Sequence, residues 1–195
     1  MNKGKFIVLY GINNLGKTTQ AKLLTERLQN EGHKAEYLKY PVYDLKPSGL
    51  ILNNYLREGN TYQLTPREAQ IFYALNRFQF EPTLKAKLEQ GINIVSEDYV
   101  GTGLCWGIGS GVDEQFVRKI NEELLKEDIS FLFDGTRFTD STESGHKHET
   151  NLELLEKVRI AHLRLGEEFN WQKINANLPI EEIHSRIWDY IQKFI

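Results

Sequence analysis

Five uninterrupted apolar residues, Phe6 to Tyr10, stand between Lys5 and Gly11, the pattern of a strand buried on both faces. From Thr19 to Asn30 the spacing changes. Leu24 and Leu28 lie four apart with Lys22, Glu26 and Arg27 among them, which predicts an amphipathic helix stopped at Glu31-Gly32. Ala35 to Tyr40 reads as a second strand ended by Pro41, and Gly49 to Arg57 as a short helix. Thr65 as N-cap and Pro66 in the first turn open a long helix that runs to about Gln90. Gly91 releases the chain into a third strand, Ile92 to Ser96. The glycine-rich segment from Gly101 to Gly111 carries no periodic assignment, and Val112 to Leu125 reads as a helix. Ile129 to Asp134 is a fourth strand, and Gly135 to Thr150 is polar with no apolar periodicity beyond Phe138. Leu152 to Glu168 is helical, Trp171 to Asn175 a fifth strand, and Ile180 onward a last helix.

Strands alternating with helices predict an α/β fold: a parallel sheet covered on both faces, with ligands at the carboxyl ends of its strands. The 195 residues suit one domain with a sizeable core, and no internal repeat or linker divides them. A net charge of -3 argues against a nucleic-acid polymer or an anionic membrane as partner. Anion binding must then come from local donors. The single cysteine, Cys105, permits no intrachain disulfide and no cysteine-based zinc cage, which fits a cytoplasmic setting. The apolar run after Met1 to Lys5 is too short for a signal peptide or a membrane span.

The first strand runs directly into Gly11-x-x-x-x-Gly16-Lys17-Thr18, and a helix follows. This is the Walker A pattern in the setting its mechanism needs. Glycines let the backbone N–H groups of Asn14, Leu15, Gly16 and Thr19 turn toward the phosphates of ATP. The helix N-terminus adds unpaired donors and the positive end of its dipole. Lys17 reaches the transferring phosphoryl group, and the Thr18 hydroxyl is a ligand for Mg²⁺. On the long helix Gln70, Tyr73 and Arg77 share a face. A ring one turn from a guanidinium can stack on a base and bond its carbonyl edge; a core tyrosine beside a solvated arginine is the alternative.

Five segments resemble thymidylate kinases in order and spacing. Gly16-Lys17-Thr18-Thr19-Gln20 matches the usual Gly-Lys-Ser/Thr-Thr-Gln of that family, and Tyr40-Pro41 stands where it has Phe-Pro. Tyr73 to Gln79 is similar to its Phe-x-x-Asp/Asn-Arg-x-Gln helix, and Val95 to Gly103 to its Asp-Arg-Tyr/His-x-x-Ser segment. Ile174 to Asn177, followed by Pro179, resembles its last strand and adenine loop. The resemblance covers nearly the whole chain. It implies a P-loop NTPase three-layer sandwich with a five-stranded parallel sheet, a mobile lid at about 135–150, and transfer of the ATP γ-phosphoryl to dTMP. By the same resemblance Ala176 and Asn177 meet the adenine, Tyr40, Tyr73, Arg77, Thr102 and Gly103 meet the acceptor nucleotide, and Trp106 closes the base pocket unless it is simply core. The family is commonly dimeric, and the long helix has apolar surface enough for a homodimer.

Four positions depart from that pattern. Asn13 replaces an acid that contacts the sugar, and keeps that contact only as an amide. Tyr43 replaces the arginine that grips the acceptor phosphate. Glu97-Asp98 replaces Asp-Arg: Glu97 keeps an acid for magnesium, while Asp98 puts a carboxylate where a cation is expected. Asp98 could serve the metal shell, a sugar hydroxyl, or a helix cap. Charged hydrogen bonds contribute about 1.5–3 kcal/mol each, so monophosphate binding should weaken unless other cations substitute, Lys39 and Lys46 being nearest in sequence. The phosphate loop also lacks an arginine, which sends the catalytic cation to the lid, at Arg137 or Lys147. His146 and His148, with no cysteine nearby, do not make a metal site. Three activities stay open: a nucleoside monophosphate kinase acting on dTMP, a deoxynucleoside kinase with Glu97 as general base, and a nucleotide-binding switch without catalysis.

Overall fold

The computed structural model describes residues 3–138 and 151–195. Its elements run β1 (Phe6–Tyr10), α1 (Lys17–Asn30), β2 (Ala35–Lys39), α2 (Ser48–Arg57), α3 (Pro66–Glu89), β3 (Asn93–Glu97), α4 (Val100–Gly109), α5 (Glu114–Lys119), β4 (Ile129–Asp134), α6 (Leu152–Glu168), β5 (Gln172–Asn175) and α7 (Ile180–Ile191). The five strands form one sheet in the order β2-β3-β1-β4-β5, with every pairing parallel. The apolar run that opens the chain is its central strand, and Phe6 to Tyr10 are each 0% exposed. Tyr10 stacks on Trp171 at 4.2 Å between centroids and donates its hydroxyl to Glu127. Helices flank the sheet: α1 packs on β1, β2 and β3 beside α7, while α4 packs against both α3 and α6.

Register decides what meets at the carboxyl edge. Lys39 and Leu9 both pair with Glu97, and Asp134 pairs with Asn175. The end of β3 therefore carries its acid beside the end of β2 and the start of the glycine loop. The centre of the sheet is also where the strand order reverses, which is the ligand position in such folds.

Two elements differ from the pattern-based expectation. The glycine-rich segment is a helix, α4, with α6 and α3 packed against it. Its glycines lower helix propensity, but they sit at points of close approach, where a Cβ on Gly101 would lie 2.5 Å from Trp171 and one on Gly109 2.5 Å from Val158. The helix expected over Val112 to Leu125 is cut to α5. There the Asn121 amide turns inward to donate to Val117 O at 2.7 Å, and side-chain bonding of this kind competes with the helix. The long helix holds as expected. Thr65 and Glu68 close a reciprocal capping box, and Pro66 follows the cap. Among the described residues no helix is long and apolar enough to cross a membrane.

The core contains one histidine whose environment sets an acid limit. His162 is 2% exposed; its Nδ1 lies 2.9 Å from Val158 O, and its Nε2 has no partner. Burial pushes its pKa down from 6.5 to about 3, against the pull of the Val158 carbonyl. Below pH 6.5 the unfolded chain takes up a proton that the folded chain refuses, so stability falls as pH drops from about 6.5 toward 3. Above pH 6.5 the effect is absent. By pH 5 the loss is about 2 kcal/mol, and urea melts of wild type and His162→Leu at pH 7 and pH 5 should show it only in wild type. Equal acid slopes would refute it.

Candidate active site

The chain leaves β1 at Tyr10, turns through Gly11 to Gly16 and enters α1 at Lys17. Gly11, Asn14 and Gly16 have φ of 136°, 63° and 78°, conformations that glycine and asparagine tolerate best. No side chain caps α1 and no acid lies in its first turn, so its first N–H groups are left for an anionic ligand. Lys17 arches back over the loop. Its Nζ donates to Gly11 O and Ile12 O at 2.8 Å each, and the residue is 4% exposed.

The segment after β4 folds against this loop. Phe138 N donates to Asn14 O at 2.9 Å and Arg137 Nε to Asn13 O at 3.2 Å. Asn177 bonds both backbone groups of Thr136, accepting from its N–H at 2.7 Å and donating to its carbonyl at 2.8 Å.

A cleft of about 610 Å³ runs from this loop to α3, within the usual size of ligand sites. At its centre Glu97 accepts from the Thr18 hydroxyl at 2.7 Å and the Tyr37 hydroxyl at 2.9 Å, and pairs with Lys39 at 3.1 Å. Burial would raise the Glu97 carboxyl, but Lys17 and Lys39 outweigh it and hold the pKa low. For Lys39 burial is likewise outweighed, by Glu97 and Asp98, and its pKa rises. Asp98 sits in the left-handed region with φ 64°, accepts from the Thr102 hydroxyl at 2.9 Å, and lies 3.8 Å from Lys17 Nζ. Burial pushes its pKa up despite Lys17. Asp98 is not a helix cap, since no side chain caps α4.

The far end of the cleft is built on α3. Arg77 is 4% exposed rather than solvated; Nη1 donates to Asn121 Oδ1 at 2.9 Å, and Nε has no partner. A Cβ on Gly103 would stand 2.4 Å from Arg77 Nη2, so only glycine lets α4 lie against the guanidinium. Gln70, 4% exposed, leaves its Oε1 without a partner in the same wall. Tyr73 is half-buried, and burial pushes its hydroxyl pKa up. Asn76, 0% exposed, clamps the loop before α2, bonding Val42 N at 2.8 Å, Val42 O at 2.9 Å and Ser48 Oγ at 2.9 Å.

The structure brings most of the expected site residues to this one cleft, including Asn13, Lys39, Tyr73, Thr102, Trp106 and Ala176. The other expected residues are placed as follows. Gly11 does not line the cleft, and its carbonyl accepts from Lys17 Nζ. Asn177 faces Thr136 and lines a separate hollow, leaving Ala176 and Leu178 on the cleft. Arg137 lines that same hollow while its Nε bonds Asn13 O of the loop, and Phe138 lines the cleft. Tyr40 borders the cleft, but its ring packs on Tyr99 and Phe80 and its hydroxyl has no partner. Lys46 does not line the cleft; its carbonyl accepts from Gln79. Lys147, His146 and His148 lie outside the described residues. Asn121 and Arg57, which also face this end of the molecule, escaped the sequence reading. Asn121 meets Arg77 across 44 positions of chain, with no local signal. Arg57 lines the cleft from the last turn of α2.

Comparison with known proteins agrees with this geometry. The family model described as thymidylate kinase matches residues 9–187. The thymidylate kinase of Danio rerio is 29% identical over 99% of this chain and 92% of its own length. That of Homo sapiens is also 29% identical, over 95% of this chain and 88% of its own. The solved structure of Candida albicans thymidylate kinase superposes with a TM-score of 0.80 at 20% identity, covering 98% of this chain and 92% of that one, and so shares the P-loop NTPase fold. With the phosphate loop, the acid at the end of β3 and the arginine of α3 in one cleft, and a match spanning nearly all its residues, the chain belongs to the thymidylate kinase family.

Proposed function

We propose that this protein transfers the γ-phosphoryl group of ATP to dTMP, giving ADP and dTDP. The observation that carries the reading is the continuity of the cleft from the phosphate loop and Lys17 to the buried Arg77. The bond between the γ-phosphorus and the β,γ-bridging oxygen breaks as an oxygen of the acceptor phosphate bonds to the γ-phosphorus. Such transfer needs positioning and charge neutralisation rather than covalent help. The uncapped α1 N-terminus and the loop N–H groups hold the ATP phosphates, and Lys17 moves from the loop carbonyls to the transferring group. Arg77, whose Nη1 donates to the neutral Asn121 amide, offers its Nε–H to a base carbonyl, with Tyr73 against the base plane and Gln70 Oε1 as an acceptor for a ring N–H.

Thr18 and Glu97 would hold Mg²⁺. Two oxygen donors already 2.7 Å apart fit an ion that takes its other oxygens from phosphates and water. Among the described residues no group of three or more His, Cys, Asp or Glu side chains is gathered for a metal, which suits that division. Bound there, the ion neutralises charge on the phosphate oxygens. The cation that closes over the transferring group comes from the segment after β4, with Arg137 and Lys147 as its candidates. Self-association through α3 fits its exposed row Ile71, Leu75 and Phe78, and sedimentation velocity of the wild-type chain reads it directly.

The testing experiment is an acceptor comparison: ATP and magnesium with dTMP, thymidine and the other nucleoside monophosphates, following ADP release. dTMP should give the highest kcat/KM. A higher value for thymidine would replace this reading with a deoxynucleoside kinase, and no ADP with any acceptor would replace it with a nucleotide-binding switch.

A further inference from the structure

Two buried polar atoms in the far wall of the cleft have no partner: Arg77 Nε, a donor, and Gln70 Oε1, an acceptor. Both residues lie on α3, seven apart, and so on one face of that helix. Thymine presents the complementary edge, a carbonyl O4 beside a ring N–H, whereas cytosine presents an amino group beside a bare ring nitrogen. A glutamine amide can turn over and serve either base, because its two ends exchange oxygen for nitrogen. A guanidinium only donates. Rejection of cytosine by this wall therefore rests on Arg77 staying where it is.

Gly103 of α4 covers the guanidinium, and the bond from Nη1 to Asn121 Oδ1 gives it a direction. Asn121 is 5% exposed, and its other end donates to Val117 O at 2.7 Å. Turning that amide over would set its NH₂ against a guanidinium N–H and its oxygen against a carbonyl, two repulsions in place of two bonds. The acceptor is therefore fixed toward Arg77. Val117 is fixed as well: it is 0% exposed, and a Cβ on Gly107 would lie 2.8 Å from its Cγ1. The same added atom would stand 3.4 Å from Gln70 Cδ, so one turn of α4 packs on both the support of Asn121 and the second reader of the base. Asn121 itself does not line the cleft. Whatever it does for a ligand, it does through Arg77.

We propose that Asn121 is the positioning residue for base selection: by holding Arg77 Nη1 it keeps a donor-only edge at the base and so excludes cytosine. With that hold gone the guanidinium turns aside, the Gln70 amide turns over, and the wall accepts an amino group in place of a carbonyl. The inference rests on the dTMP reading and names the residue that makes its base preference strict.

Two substitutions separate this role from support of the fold, since both remove the donor to Val117 O and only one removes the acceptor for Arg77. Asn121→Leu should lower the ratio of kcat/KM for dTMP over dCMP about 10- to 100-fold, with KM for ATP within about twofold of wild type. Asn121→Asp keeps an acceptor for Nη1 and should hold the ratio within about threefold, although it too lowers the melting temperature. Asn121→Ala, which adds no bulk, repeats the first arm if the leucine variant does not fold. Calorimetric titration with thymidine and deoxycytidine, in the absence of ATP, should show the same narrowing of preference in Asn121→Leu and its retention in Asn121→Asp. A wild-type ratio in folded Asn121→Leu or Asn121→Ala, or a loss in Asn121→Asp as large as theirs, would overturn the proposal. Failure of the functional reading looks different: wild type itself would release no ADP with dTMP, while the nucleoside titrations would still report on Asn121.

Discussion

Lys17→Met is expected to lower kcat for dTMP-dependent ADP release by about 10³-fold or more and to leave a folded protein. The stem of Lys17 is buried, and its Nζ is held at the Gly11 and Ile12 carbonyls of the loop. Methionine keeps the length and apolar volume of the stem and removes the charge alone. The Gly11 and Ile12 carbonyls lose their donor, at a cost of about 1–3 kcal/mol, against a typical folding stability of about 5–15 kcal/mol. Stability therefore drops and the fold survives, while the chemistry loses its central cation. Initial rates at saturating ATP, read beside a thermal melt, check both halves. A folded variant that retained wild-type kcat would remove Lys17 from the transfer step.

The donor side was legible because its chemistry is local. An apolar strand, a glycine loop and a Lys-Thr pair are consecutive in the chain, and the structure places them as the spacing requires. The long helix was equally legible, since Thr65, Pro66 and Glu68 announce its start by themselves. What the sequence concealed lies in long-range contacts. Nothing near Asn121 marks it as the partner of Arg77, and nothing near Arg57 marks the Tyr43 ring that its guanidinium lies over; each pair is made only when α3, α5 and α2 assemble. Composition misled at α4 for a physical reason. Its glycines left the segment without a periodic assignment, yet each is absorbed where another element crosses closely, and the packing gained there outweighs about 1 kcal/mol of lost propensity per glycine. Arg137 meets the loop through a contact that no spacing announces: its Nε donates to Asn13 O across 124 positions of chain, beside the bond from Phe138 N to Asn14 O.

The pair Glu97-Asp98 is where the departure from the family pattern can be decided by one comparison. The two carboxyls are adjacent, yet their surroundings push them apart: Lys17, Lys39 and the Thr18 hydroxyl hold Glu97 low against burial, whereas burial wins at Asp98. Of two acids driven in opposite directions, the one kept low is the better anion for a metal. Glu97→Gln keeps the volume but presents an amide to three donors, Thr18, Tyr37 and Lys39, where at most one amide oxygen can accept. kcat should fall about 10²-fold or more, with the magnesium needed for half-maximal rate moved upward. Asp98→Asn keeps an acceptor for Thr102 and removes only a charge 3.8 Å from Lys17, so its loss should stay below about tenfold. Magnesium titrations of the initial rate in the two variants read this directly. If Asp98→Asn were the one to lose its magnesium response, the ion would sit on Asp98, and the second carboxylate would be the functional replacement for the family acid.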